Sequence, residues 1–269
     1  MSHDPNILLV GCGNMGRALV KGWLTEGRDP ERIQVVDPNT EAASVARELG
    51  VKAVTSLSEV QMPVAVIVLA VKPQQLESVL PAYRDLAAAG TVVLSIAAGK
   101  QIEFYERALG GEPAIVRGMP NTPAAIGQGM TVLSANRAVT AEQHALCQSL
   151  MAAVGEVAWL ADEQLMDAVT AVSGSGPAYV FLLIECLTDA AVSAGLEKNL
   201  ARQLAEQTVA GAGAYALVSE QDAGELRRRV TSPGGTTEAA LEILMRPDGL
   251  PALFVQAVQA ASKRARQLA

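Results

Sequence analysis

Histidine is nearly missing: the 269 residues hold two, His3 and His144. His3 stands in an expected frayed terminus, and His144 in the polar opening of the segment AEQHALCQSL. Neither a histidine-based triad nor a histidine-rich metal centre is therefore expected. Cysteine is as sparse. Cys12, Cys147 and Cys186 are widely spaced, with no CxxC or Cys/His pairing, so neither a disulfide framework nor a zinc site is indicated. Positive charge is short as well. The net charge of −7 disfavours a nucleic-acid partner, whose phosphates it would repel. The compact basic cluster KRARQ reads as the solvated end of a helix. Long apolar runs are lacking too. VAVIVLAV at 64–71 falls far below the ~18 residues that a membrane span needs, and no membrane partner is expected. The opening MSHDPN has no basic n-region or cleavage pattern, so the expected location is the cytoplasm. Chemistry is left to a cofactor, a hydroxyl, a carboxylate or a lysine.

What is present is apolar and small. Half the residues are hydrophobic and only 3% are aromatic. Ala, Val, Leu and Gly suit close packing of helices on a sheet and on one another. The length suggests roughly two domains. Up to Leu160, strands and helices alternate: NILLV, MGRALVKGWLTEG, RIQVVD, EAASVARELG, VAVIVLAV, QQLESVLPAYRDLAAAG, TVVLSIA, IEFYERALG, AIVRGMP, MTVLSA, AEQHALCQSLMAAVG and EVAWL. That order predicts an α/β fold with a parallel, doubly wound sheet over 1–160. VAVIVLAV lacks polar alternation, as a strand covered on both faces should. From 161 to 269 the segments read as helices only. The first, LMDAVTAVSGSGPAYVFLLIECLTDAAVSAGL, is interrupted by SGSGP at 173–177 and is apolar on nearly every side. Such a helix must be buried. A domain of about 110 residues is small for that task alone, so subunits are expected to pack through these helices.

Gly11-Cys12-Gly13-Asn14-Met15-Gly16 is a GxGxxG between a strand and a helix, the setting that the dinucleotide fingerprint requires. Gly11 permits the tight turn, Gly13 the approach of a pyrophosphate, and Gly16 close helix–strand packing. Cys12 is then a small filler. Asp37 follows Gly16 by about 20 residues, the spacing of the acid that binds a ribose 2′-hydroxyl. That favours an adenosine without a 2′-phosphate, and no arginine stands at 38–40. Asn39 and Thr40 can nevertheless bond a phosphate, and Asp-Pro is also an ordinary turn opener. Further strand ends carry Ala70-Val71-Lys72-Pro73, Ser95-Ile96-Ala97-Ala98-Gly99 and Met119-Pro120-Asn121. Ligands bind beyond such ends in open parallel sheets. The small residues of SIAAG let a flat ring lie on the backbone. Lys72 either faces a cofactor or is solvated, and Asn121 can hydrogen-bond ribose or nicotinamide.

Ser232-Pro233-Gly234-Gly235-Thr236-Thr237 leads straight into an apolar-periodic helix. The loop is either a plain N-cap or an anion site, where open N–H groups and glycines admit a carboxylate or phosphate.

Together, GCGNMG, AVKP, SIAAG, MPNTPA, DAVTAVSGSGPAY and LRRRVTSPGGTTEAAL resemble the pyrroline-5-carboxylate reductase family in order and spacing, over essentially the whole chain. SGSGPAY followed by TSPGGTT is the specific part. The resemblance implies a Rossmann-type domain followed by an all-helical dimerisation domain, with dimers that often assemble further. It implies reduction of Δ1-pyrroline-5-carboxylate to L-proline with NADPH or NADH. It places Gly11, Cys12, Gly13, Asn14, Met15, Gly16, Asp37, Ala70, Val71, Lys72, Pro73, Ala97, Ala98 and Gly99 on the cofactor. It places Ser232, Gly234, Gly235, Thr236 and Thr237 around the substrate, with Thr237 near the imine nitrogen as donor or proton relay and Glu163 lining the site. SGSGP serves helix packing rather than chemistry. Two other readings compete. A β-hydroxyacid dehydrogenase also has GxGxMG and a helical second domain, but needs a lysine on the helix that here reads TAVSGSGPAYVFLL. A non-catalytic dinucleotide-sensing module would bind cofactor without turnover.

Overall fold

The computed structural model describes residues 4–60 and 62–268; His3 lies outside them. Eight strands form one sheet: β1 Ile7–Val10, β2 Ile33–Val36, β3 Lys52–Val54, β4 Val66–Leu69, β5 Val92–Ser95, β6 Ile115–Met119, β7 Gly129–Ala135 and β8 Gly155–Trp159. Their order is β3-β2-β1-β4-β5-β6-β7-β8. The first six follow the 3-2-1-4-5-6 order of doubly wound dinucleotide-binding sheets. The pairing of β6 with β7 is antiparallel, while β7 with β8 is parallel. The antiparallel return is short because it needs only the 3₁₀ turn Thr122–Ile126 and no crossover helix.

The helices are α1 Asn14–Thr25, α2 Thr40–Glu48, α3 Leu76–Val79, α4 Arg84–Ala88, α5 Ile102–Leu109, α6 Ala141–Ala152, α7 Met166–Val169, α8 Gly176–Ser193, α9 Lys198–Val218, α10 Ala223–Arg229, α11 Thr236–Leu244 and α12 Leu250–Leu268. The segment QQLESVLPAYRDLAAAG, expected as one helix, is broken into α3, a 3₁₀ turn at Leu80–Tyr83, and α4. Pro81 lies in the break; its ring has no N–H for the helix ladder. The chain between α7 and α8 is a π-turn over Thr170–Gly174.

The chain divides into two compact units, Met1–Gly174 with Ala261–Ala269, and Ser175–Ala260. Residues just beyond the 160/161 boundary expected from the sequence pack with the sheet unit. Met166 and Ala171 are buried, and Asp167 pairs with Arg266 at 3.5 Å.

Within the sheet unit, alternate residues of β1 serve opposite cores. Ile7 and Leu9 join one, with Trp23 of α1 and Leu150 of α6; Leu8 and Val10 join the other, with Leu76, Leu80 and Tyr105. Trp23 Nε1 donates to Leu150 O at 2.8 Å, so the indole is buried with its polar atom satisfied. In the other unit α8 and α9 pack on each other, yet α8 carries no buried residue. Phe181, Leu182 and Leu183 are exposed. The helical stretch Glu163–Ser193 is also long and apolar enough, by length and composition, to cross a membrane. A search for unbroken apolar runs passes over it, because polar residues interrupt it.

Candidate functional site

In the sheet unit, the turn from β1 to α1 is shaped by its glycines. Gly11 has φ +92°, and a Cβ there would lie 2.9 Å from Ala70 O and 3.0 Å from Val71 Cγ1. A side chain would be strained twice, by the backbone and by the end of β4. At Gly16 a Cβ would meet Gly11 O, so α1 can lie this close to β1 only with glycine there. Gly13 differs: nothing lies within 4 Å of its Cβ position. It is the N-cap of α1 and provides no side-chain cap. The geometry therefore leaves open space at the start of a helix whose N–H groups favour an anion. These residues fit a dinucleotide pyrophosphate.

The peptide of Cys12 is held from both sides. Its N–H donates to Asp37 Oδ2 at 2.8 Å, and its carbonyl accepts from Arg17 Nε at 3.2 Å. The other oxygen of Asp37 accepts the Asn39 N–H at 2.9 Å. Asp37 is thus both a turn former and a tie to the glycine loop. A carboxylate has room for more donors, so a ribose hydroxyl can still be accepted. Asn39 caps α2 by accepting from Glu41 and Ala42. Burial pushes the Cys12 thiol up, which suits a filler and not a nucleophile.

Ala97 rests on a buried polar network, while Ala98 beyond it is exposed and Gly99 half-buried. Ser95 Oγ accepts the Ala97 N–H at 3.3 Å and shares a hydrogen bond of 2.7 Å with Tyr105 Oη. Burial pushes the Tyr105 phenol up to about 12, so it stays neutral. Gly99 has φ +87°, a conformation for which glycine is suited. Beside this network, Glu163 Oε1 accepts two hydrogen bonds of 2.8 Å, from Ile102 N at the start of α5 and from Arg117 Nη1. The Arg117 side chain is 4% exposed. Glu163 neutralises a buried guanidinium and caps a helix, a role that no local pattern announces. Its place at the substrate rests on resemblance alone.

Lys72 is exposed, at the 3₁₀ turn after β4. The side chain of Asn121 is committed differently from the expectation of a ribose or nicotinamide contact. Its Oδ1 accepts from Met130 N at 2.9 Å, and its Nδ2 donates to Ser173 O and Oγ, each at 3.3 Å. The amide ties the end of β6 to β7 and to the π-turn.

In the helical unit, Gly234 has φ +71° and forms the corner before α11. Its N–H donates to Glu238 Oε2 at 2.7 Å, and the Gly235 N–H to Ser232 O at 3.0 Å. Those two donors are therefore used within the loop. Among the described residues, the N–H groups of Thr236 and Thr237 find no acceptor, and no partner holds the hydroxyls of Ser232, Thr236 and Thr237. The loop is not closed by a conventional side-chain cap, since Gly235 is the N-cap. Open donors at the first turn of α11 are suited to a carboxylate.

Two family models match. "Pyrroline-5-carboxylate reductase dimerisation" covers residues 163–268, and "NADP oxidoreductase coenzyme F420-dependent" covers 6–99. The pyrroline-5-carboxylate reductase of Pseudomonas aeruginosa is 44% identical over 266 residues, spanning 98% of this chain and 97% of its own. A solved pyrroline-5-carboxylate reductase from Coxiella burnetii superposes with a TM-score of 0.94 at 41% identity, over 98% of both chains. The Plasmodium falciparum pyrroline carboxylate reductase, solved with NADP bound, gives 0.85 at 30%, over 99% of this chain and 98% of its own. With likeness of this degree spanning both units, the chain belongs to the pyrroline-5-carboxylate reductase family.

Proposed function

We propose that the chain reduces Δ1-pyrroline-5-carboxylate to L-proline with NADPH or NADH, in the cytoplasm, as the last step of proline biosynthesis. The observation that carries this reading is the SPGGTT loop, with three hydroxyls and two N–H groups uncommitted at the start of α11. Residues 1–160 hold the coenzyme and 161–269 the substrate and the subunit contact. Gly11 to Gly16 receive the pyrophosphate; Ala70 to Pro73 and Ala97 to Gly99 hold the nicotinamide half. When bound, the coenzyme supplies a hydride to the C=N carbon. Ser232 Oγ and the N–H groups of Thr236 and Thr237 bind the substrate carboxylate. Thr237 Oγ1 donates to the ring nitrogen as it becomes an amine. The chain needs no strong acid of its own, because the imine nitrogen can take its proton from solvent before the hydride arrives. Its contribution is positioning and a fixed field.

The direct test follows NADPH and NADH oxidation with pyrroline-5-carboxylate, beside piperideine-2-carboxylate and a 3-hydroxyacid. Turnover of the 3-hydroxyacid alone would replace this reading by the dehydrogenase one, and coenzyme binding without turnover by the sensing one. Thr237→Ala is expected to lower kcat/KM roughly 10- to 100-fold, the loss of about 1.5–3 kcal/mol from a hydrogen bond to a nitrogen whose charge changes during reduction. Full activity of this variant at every pH would remove Thr237 from the mechanism.

We also propose that a second copy covers the apolar surface of α8. The dimerisation-family match over 163–268 and the exposed Phe181, Leu182 and Leu183 support it. Sedimentation at nanomolar protein is expected to show a dimer or a larger assembly. A folded, active monomer would contradict this.

A further inference from the structure

We propose that Arg17 is the residue through which this chain accepts the 2′-phosphate of NADPH. The inference rests on the reading that Gly11 to Gly16 hold a dinucleotide. In such sheets the acid after β2 engages the ribose 2′-hydroxyl, and a nearby arginine accommodates a 2′-phosphate. The turn after β2 reads Asp37-Pro38-Asn39-Thr40 and carries no cation. The cation comes instead from α1, across the glycine loop.

The placement follows from two hydrogen bonds. Arg17 Nε holds the carbonyl of Cys12, and Asp37 Oδ2 holds its N–H. Guanidinium and carboxylate thus stand at the two ends of one residue's backbone. Both reach the buried Cys12 thiol: after burial, which raises it most, Arg17 lowers its pKa and Asp37 raises it. Asp37 is turned to the loop by the Cys12 and Asn39 N–H groups. Among the described residues, Arg17 makes no ion pair, and its Nη1 and Nη2 have no acceptor. Nε fixes the guanidinium while the two Nη groups stay available. A planar fork of this kind matches a phosphate bidentately, which lysine cannot do. Its charge also offsets Asp37, which would otherwise repel a nearly dianionic group. Asn39 adds a neutral donor, because its Oδ1 is spent on the α2 cap and its amide NH₂ is not.

The test is calorimetric and needs no turnover. The probes are 2′,5′-ADP and 5′-ADP, titrated into the full-length wild type, Arg17→Met and Arg17→Lys. Methionine keeps most of the stem and removes the charge. Arg17→Met is expected to weaken 2′,5′-ADP about tenfold, or about 1.4 kcal/mol, and 5′-ADP less than about twofold. Arg17→Lys should recover part of the loss, and the ratio of kcat/KM for NADPH and NADH should move in parallel. Unchanged 2′,5′-ADP affinity overturns the proposal. Equal loss of both probes also overturns it, showing that Arg17 only holds the Cys12 carbonyl. A wild type that binds neither probe overturns the dinucleotide reading itself, and the first titration shows this before any variant is used.

Discussion

Gly235→Asp is expected to raise KM for pyrroline-5-carboxylate more than about 100-fold while dinucleotide affinity stays unchanged. Two effects act together. A Cβ at this position would lie 2.5 Å from Ser232 Oγ and 3.0 Å from Ser232 O, so any side chain displaces the serine. Aspartate then adds a carboxylate beside the N–H groups proposed to receive the substrate's own. Losing charge-assisted hydrogen bonds at one centre costs about 3 kcal/mol, which sets the stated factor. Gly235→Ala separates the two causes. It should reproduce the displacement without the charge and lose roughly tenfold. Steady-state kinetics against both ligands decides the matter. Parallel loss of coenzyme binding would mean that the fold has failed, and an unchanged KM would reduce the loop to a helix start.

The second large effect is one of stability. Glu163→Ala leaves the buried Arg117 guanidinium without its counter-charge and the Ile102 N–H without its acceptor. Breaking a buried pair from one side costs about 3–5 kcal/mol, a fall in Tm of roughly 6–20 °C for a chain of this size. Glu163→Gln should fall in between, because it keeps an acceptor for Ile102 and loses the charge. Scanning calorimetry gives the stability. Assays well below the new Tm give the rest. An unshifted Tm with a raised KM would return Glu163 to the substrate, as resemblance places it.

These two residues also mark how far the sequence can be read. Gly235 stands inside a local pattern, and paired glycines before a helix announce themselves. So do Gly11, Gly13 and Gly16, because the tight turn, the open approach and the close packing all arise within six residues. The alternation of strands and helices announces the sheet, and spacing from the glycines singles out Asp37, whose carboxylate meets the Cys12 N–H. What stayed hidden is tertiary. Arg117 and Glu163 meet from strand and helix segments far apart in sequence, and each alone looks like a solvated charge. The Asn121 amide reads as a free donor until Met130 and Ser173 take it. The direction of β7 is invisible, since apolar alternation is the same for a parallel and an antiparallel strand. Arg17 lies just after the fingerprint, but only the bond to Cys12 O turns it from a helix-surface charge into a neighbour of Asp37.

The path of the chain through its two units bears on how the protein is made. The sheet unit is discontinuous: its last piece, from Ala261, comes after the whole of Ser175–Ala260. That piece supplies the buried Ala265 and the Arg266 that meets Asp167. A ribosome delivers the amino end first. The sheet must therefore wait, nearly assembled but unsealed, while the entire apolar helical unit emerges. A nascent chain stalled before residue 261 has the glycine loop but lacks the closing segment. The sheet unit is therefore completed only after residues 175–260 have been made.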